Sequence, residues 1–323
     1  MFSRLQWSGP RWLFMSCVML TTATFGQAAA QESTPAPPGD SEITSQLPAA
    51  DLPTMNEQGY LFELESSWTG SFETVPSEAP VYRLDVPAHD AASVEAIASR
   101  LGIEGTVQDQ GSGSFAIEGE SGTYFVTGGL AQYLSRAEIP EGDLPNDEQA
   151  VAFAREWLRQ TELLPADAGD GVVLERVEEP ARVIVAIEPI RPENLLSTYP
   201  SITIIMGPDA VVLEASFRWS DLNTADTYSL RPVETAWTEV AEKRSYLEVG
   251  VPAGFADPGT AITGQAVYDQ VSIGYTVSGI PGETQYLQPV YVFTGSLTPE
   301  GSSESFPITA YVPALVNSQQ PVG

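Results

Sequence analysis

His89 is the single imidazole in the sequence and Cys17 the single thiol. A Ser-His-Asp device would have to use His89, in Pro87-Ala88-His89-Asp90, and no Gly-x-Ser-x-Gly nucleophile turn accompanies it. A two-histidine metal site, a cysteine-ligated zinc site and a disulfide are likewise excluded by inventory. What remains plentiful is carboxylate, with 43 Asp and Glu. Two carboxyl groups flanking a sugar ring can hydrolyse a glycoside, but nothing in the spacing singles out a pair. Asp167-Ala168-Gly169-Asp170-Gly171 is the candidate calcium loop, with Asp167 and Asp170 as oxygen ligands, although it lacks the EF-hand spacing and its closing glutamate. Gly111-Ser112-Gly113-Ser114 has neither the lysine nor the following helix of a phosphate loop and reads as a hairpin turn.

The aromatics offer a different chemistry. Trp219, Tyr268, Tyr286, Tyr291 and Tyr311 fall on strand-like segments and are the candidate binding residues for a peptide or small ligand. Trp157 and Trp237 sit inside helical apolar stripes and belong to the core.

The formal net charge of −29 repels nucleic acid and anionic lipid and favours cationic partners. Lys243 is the only lysine. Arg4 and Arg11, the apolar run from Trp12 to Phe25 and Gly26-Gln27-Ala28-Ala29-Ala30 have the pattern of a secretory signal cut after Ala30. The run is shorter than the ~20 residues a spanning helix needs, so no transmembrane helix is expected in the mature chain. Cys17 lies within this run, not at its end, and reads as an apolar signal residue. The expected location is therefore secreted or at the cell surface.

Three amphipathic helices must position whatever the strands carry. The first spans 90–101, with Asp90 as N-cap, Val94, Ile97, Ala98 and Leu101 as its stripe, and Gly102 beyond its end. The second opens at Asn146 or Asp147 and places Ala150, Phe153, Ala154, Trp157 and Leu158 on one face. The third spans 232–244, with Pro232 at its first position and Val233, Ala236, Trp237, Val240 and Ala241 as its stripe. Strands follow each helix in groups, with period-two alternation and turns such as Gly207-Pro208-Asp209. This predicts an α+β protein of repeated helix-plus-antiparallel-sheet units, helices packed on one face of each sheet. The expected partition is a leader over 1–30, a disordered Pro/Ser/Thr-rich spacer over 31–55, and α+β modules over 56–140, 141–222 and 223–323. The stretches 134–144 and 220–229 read as loops.

Glu148-Gln149-Ala150-Val151-Ala152-Phe153-Ala154-Arg155-Glu156-Trp157-Leu158, continuing to Leu163-Leu164-Pro165, resembles the opening of a PepSY-type domain. The last third is similar to the YycI and YycH group of extracytoplasmic regulators, in Ala236-Trp237, Tyr286-Leu287-Gln288-Pro289-Val290-Tyr291 and Ala310-Tyr311-Val312-Pro313. The resemblance covers about half of the chain. It implies a noncatalytic domain outside the membrane that modulates a sensor kinase or restrains a protease, and it assigns no catalytic residue. That group is held by an N-terminal membrane helix, whereas the leader here reads as cleavable, which argues against control through paired membrane helices.

The function expected from these readings is a noncatalytic, extracytoplasmic protein-binding module that uses sheet surface or a sheet edge. It needs no cofactor, with calcium as the one candidate ion, and no nucleic acid. Two alternatives stand beside it: an exported carboxylate-dependent glycan hydrolase, and a cation- or small-molecule-binding scaffold.

Overall fold

Asp90 accepts the Ser93 N–H at 2.8 Å while Ser93 Oγ accepts the Asp90 N–H, so both free ends of the first helical turn are satisfied in a capping box. Helix α1 (Ala91–Arg100) buries Val94 and Ala98, and Gly102 follows with the left-handed φ of 73° that ends it. Asn146 and Gln149 make the same box at the start of α2 (Asp147–Gln160), which buries Ala150, Ala154 and Leu158. Phe153, expected on that stripe, is exposed. Helix α3 (Val233–Ala241) buries Val233, Ala236 and Val240, and Pro232 stands one residue before it as N-cap.

The computed structural model describes residues 47–53, 60–197, 199–252, 254–257, 259–279 and 284–315. The expected leader over 1–30 lies outside them, as does the expected spacer up to residue 46. In chain order the strands are β1 (Leu61–Trp68), β2 (Glu78–Asp85), β3 (Gln108–Gly111), β4 (Ser114–Glu118), β5 (Gly122–Thr127), β6 (Leu130–Ser135), β7 (Val172–Glu178) and β8 (Ala181–Ile187). They continue as β9 (Ser201–Met206), β10 (Val212–Arg218), β11 (Asp221–Ser229), β12 (Tyr246–Val249), β13 (Ala261–Ser278), β14 (Gln285–Pro299) and β15 (Phe306–Pro313). The protein is thus mixed α+β and mostly sheet, but its strands form two sheets, where three helix-led units were expected.

One sheet has eight antiparallel strands in the order β3-β4-β5-β6-β10-β9-β8-β7. Four strands follow α1 and four follow α2, and the last of each run, β6 and β10, pair to make the sheet continuous. Helix α1 lies over β4 and β5, and α2 over β7 and β8. Tyr124, Val126, Val183, Val185, Ile202, Ile204 and Met206 fill the layer beneath them, as alternation requires. Gly111, Ser112 and Gly113 all take positive φ and form the β3–β4 hairpin turn read from the sequence.

The other sheet runs β1-β13-β14-β15-β12, with β2 joined to the end of β14 and β11 joined to β2. Its β1–β13 pairing is parallel, a departure from the antiparallel arrangement expected. Helix α3 covers one face, over Leu64, Tyr268, Tyr291, Phe293, Ile308 and Val312. Trp237 of α3 meets Tyr268 edge-on at 5.5 Å and lies 5.6 Å from Trp68, which stacks on Phe72 at 4.6 Å. The spacer read over 31–55 takes in too much of the chain. Residues 48–52 lie against the opposite face of this sheet, where Leu52 is buried with Val290, Val292 and Tyr311, while Leu47 packs against the core that α3 covers. A leucine that removes its side chain from water in this way offsets the ordering of an otherwise polar and proline-rich segment.

Candidate binding site

The aromatic residues singled out in the sequence do not converge. Tyr268 and Tyr291 are buried beneath α3: a bulge between Tyr268 and Gln270 shifts the β13 register, so that Tyr268, opposite Gly295, shares the inward face with Ile273 and Tyr291. The Tyr291 hydroxyl donates to the Arg231 carbonyl at 2.6 Å, whereas that of Tyr268 finds no partner among the described residues. Tyr311 is buried on the opposite face and donates to Glu248 Oε2 at 2.6 Å. Tyr286 packs half-buried beside the α3 core, and Trp219 half-buried at the rim of the eight-stranded sheet's core. These five belong to two sheets and present no common surface.

Asp167 and Asp170 are exposed, and their loop is shaped by backbone pairing. Gly169 N–H donates to Glu188 O at 2.7 Å, and Ile190 N–H to Asp167 O at 2.8 Å. Among the described residues, no group of three or more His, Cys, Asp or Glu is placed to hold a metal ion. His89 is half-buried, and burial lowers its pKa against the opposing pull of Asp90, which itself is committed to the α1 cap. Burial raises the carboxyl pKa of Glu188, the direction a general acid needs. Glu188 lines neither of the two cavities described next.

The larger cavity is a groove of about 560 Å³ beside β1. Glu63 and Glu65 of β1, Gln265 of β13, Thr298 at the end of β14, Glu300 and Lys243 line it. Glu300 is held in place by Thr263, whose Oγ1 donates to Glu300 Oε2 at 2.9 Å and whose carbonyl accepts the Glu300 N–H at 2.9 Å. Glu63 and Glu65 are exposed and, among the described residues, have no ion-pair partner. Three carboxylates therefore face one ammonium, and the local field is negative.

β1 is an edge strand. It pairs with β13 over eight residues, from Leu61 opposite Ala261 to Trp68 opposite Tyr268, without a bulge. Among the described residues no strand pairs with its other edge. Bulges, which blunt an edge against further pairing, interrupt the ladders of three other edge strands: β3 between Asp109 and Gly111, β7 between Val173 and Glu175, and β11 between Thr224 and Asp226. β1 has none. Sequence reading did not assign this strand, although Phe62, Leu64 and Trp68 alternate with Glu63, Glu65 and Ser67 in the period-two pattern that marks one.

A second, smaller cleft of about 290 Å³ lies between β2, β13 and the β8–β9 connection. Tyr82 and Tyr275 meet edge-on there at 5.7 Å, with Arg191 beside them. Burial raises the Tyr82 pKa, and the Arg191 guanidinium works against it.

No protein-family model matches the sequence, and no curated protein is similar to it in sequence. Among solved structures, it is similar to an uncharacterized protein from Eubacterium rectale, at 9% identity and a TM-score of 0.43, over 80% of this chain and 91% of that one. It is also similar to the Bacillus megaterium YpeB C-terminal domain, at 10% identity and a TM-score of 0.34, over 71% of this chain and 94% of that one. At such scores the likenesses carry no argument about partner or activity. Among the described residues no helix is long and apolar enough to cross a membrane.

Proposed function

We propose that this chain is a noncatalytic, extracytoplasmic protein-binding module, and that it takes an extended basic segment of a partner protein along β1. The observation that carries the reading is a bulge-free, eight-residue open edge whose Glu63 and Glu65 also line an acidic groove of about 560 Å³ that runs on across β13 to the end of β14. An open edge supplies main-chain donors and acceptors in a regular row, which is how β-augmentation gains affinity. Glu63 and Glu65, two residues apart on one face of β1, then select alternate side chains of the added strand. Exposed ion pairs are each worth only about 0.2–1 kcal/mol, so Glu63, Glu65 and Glu300 choose the sign of the partner and speed its approach more than they hold it. The secretory pattern of residues 1–30 and the PepSY- and YycI-like motifs support a location and role of this kind.

A labelled peptide of alternating lysine and threonine, titrated into the full chain at low and physiological salt, tests this. It should bind, weaken as salt rises, and lose affinity by about ten-fold or more when Glu63→Arg and Glu65→Arg are combined. A glutamate–threonine peptide should not bind. Equal binding of the lysine peptide to both chains would contradict the assignment.

A further inference from the structure

The face of the seven-stranded sheet away from α3 carries a strip of polar side chains that are buried where apolar ones would be expected. Thr276, Ser278 and Gln288, on adjacent β13 and β14, are 2%, 0% and 1% exposed. What covers them is the segment of residues 47–53; the side chains of Thr276 and Gln288 bind its backbone, while Ser278 Oγ donates to Tyr286 O and accepts from Gln288 Nε2. Gln288 Nε2 donates to the Pro48 carbonyl at 2.7 Å, and Thr276 Oγ1 donates to the Asp51 carbonyl. The Asp51 N–H donates to Val277 O at 3.0 Å, Ala50 pairs with Ser278 as an antiparallel bridge, and Leu52 is buried against Val290, Val292 and Tyr311.

This is the layout of a peptide-binding strip, with main-chain bonds for affinity and one pocket for an anchor. Thr, Ser and Gln can also face water when uncovered.

The resident segment fits imperfectly. Among the described residues Gln288 Oε1 is buried with no hydrogen-bond partner, and Pro48, the residue its amide holds, has no N–H to give. A buried acceptor left unsatisfied is costly. An occupant with an N–H at that place can satisfy both ends of the amide.

We propose that this strip is a peptide slot for which residues 47–53 act as a tethered placeholder. The exchanging occupant is an extended segment of a partner protein. It carries a leucine-sized anchor and, four residues before it, a residue that is not proline. The slot is a different surface from the β1 edge, and the proposal does not depend on binding there.

The test uses the full chain, its Leu52→Asp variant, and labelled synthetic peptides of residues 47–53 with and without Pro48→Ala. In the wild type the tethered segment competes at an effective concentration on the order of millimolar, so peptide binds weakly. Leu52→Asp should bind the peptides about ten-fold or more tightly than wild type, and the Pro48→Ala peptide more tightly than its parent. Adding Thr276→Val and Gln288→Leu should remove that gain. If Leu52→Asp does not fold, Asp51→Pro removes the N–H given to Val277 and opens the same slot. Equal affinity of a folded opened variant and wild type, or no peptide binding to either, would overturn the proposal. So would a wild-type dimer that the peptide dissociates, because the occupant would then be a second copy of the chain.

Discussion

The side chain of Leu196 occupies the place that a β-carbon on Gly274 would need: such a carbon would lie 2.8 Å from Leu196 Cγ. Leu196 belongs to the connection between β8 and β9 of the eight-stranded sheet, and Gly274 to β13 of the seven-stranded sheet. The same connection is pinned by Leu196 N–H to Tyr275 O at 2.8 Å, Tyr275 N–H to Asn194 O at 3.0 Å, and Asn194 Nδ2 to Ile273 O at 3.0 Å. Gly274→Ala is expected to destabilise the protein by roughly 1–3 kcal/mol, as overpacking does. Leu196→Ala in the same chain should return part of that loss, and urea midpoints of the two single variants and the double variant measure the coupling.

Arg231 and Glu239 form an ion pair with side-chain exposures of only 14% and 16%. Removing one partner leaves a largely buried charge alone, so Arg231→Ala or Glu239→Ala should cost about 3–5 kcal/mol. Replacing both with apolar residues of similar volume should cost much less. Denaturant unfolding of the single and double variants separates these cases.

Burial, with the nearby Tyr82 as a smaller cause, pushes the Tyr275 hydroxyl up to about 12 from an ordinary value of 10.0. The folded state therefore holds this proton more tightly than the unfolded chain. Its contribution is complete below pH 10 and is lost as pH rises through about 12. The unfolding midpoint should fall over that window, and Tyr275→Phe should flatten part of the fall. Phenolate absorbance followed alongside circular dichroism should show Tyr275 ionising with unfolding, not before it.

Much of the local structure was legible because it depends on local chemistry. The Asn146 and Asp90 caps, the left-handed Gly102 and the alternation of Ile308, Ala310 and Val312 along β15 all work through neighbours in sequence. β11 was not legible. Its residues from Asp221 to Ser229 are mostly polar and exposed, and they are a strand only because β2 pairs with them. The same is true of the candidate site, because the period-two signal of residues 61–68 does not say that β1 lands parallel beside β13 with its other edge open. The tyrosines misled for the converse reason: period-two alternation turns a strand aromatic toward one face or the other, and Tyr268 and Tyr291 face the core.

The most direct measurement is amide hydrogen exchange on the full chain with and without the lysine–threonine peptide. Outward-facing amides within residues 61–68 should exchange more slowly when peptide is present, while those of the bulged edge strand β7 should not change. Unaltered exchange in β1 at saturating peptide, or protection confined to another strand, would contradict the account.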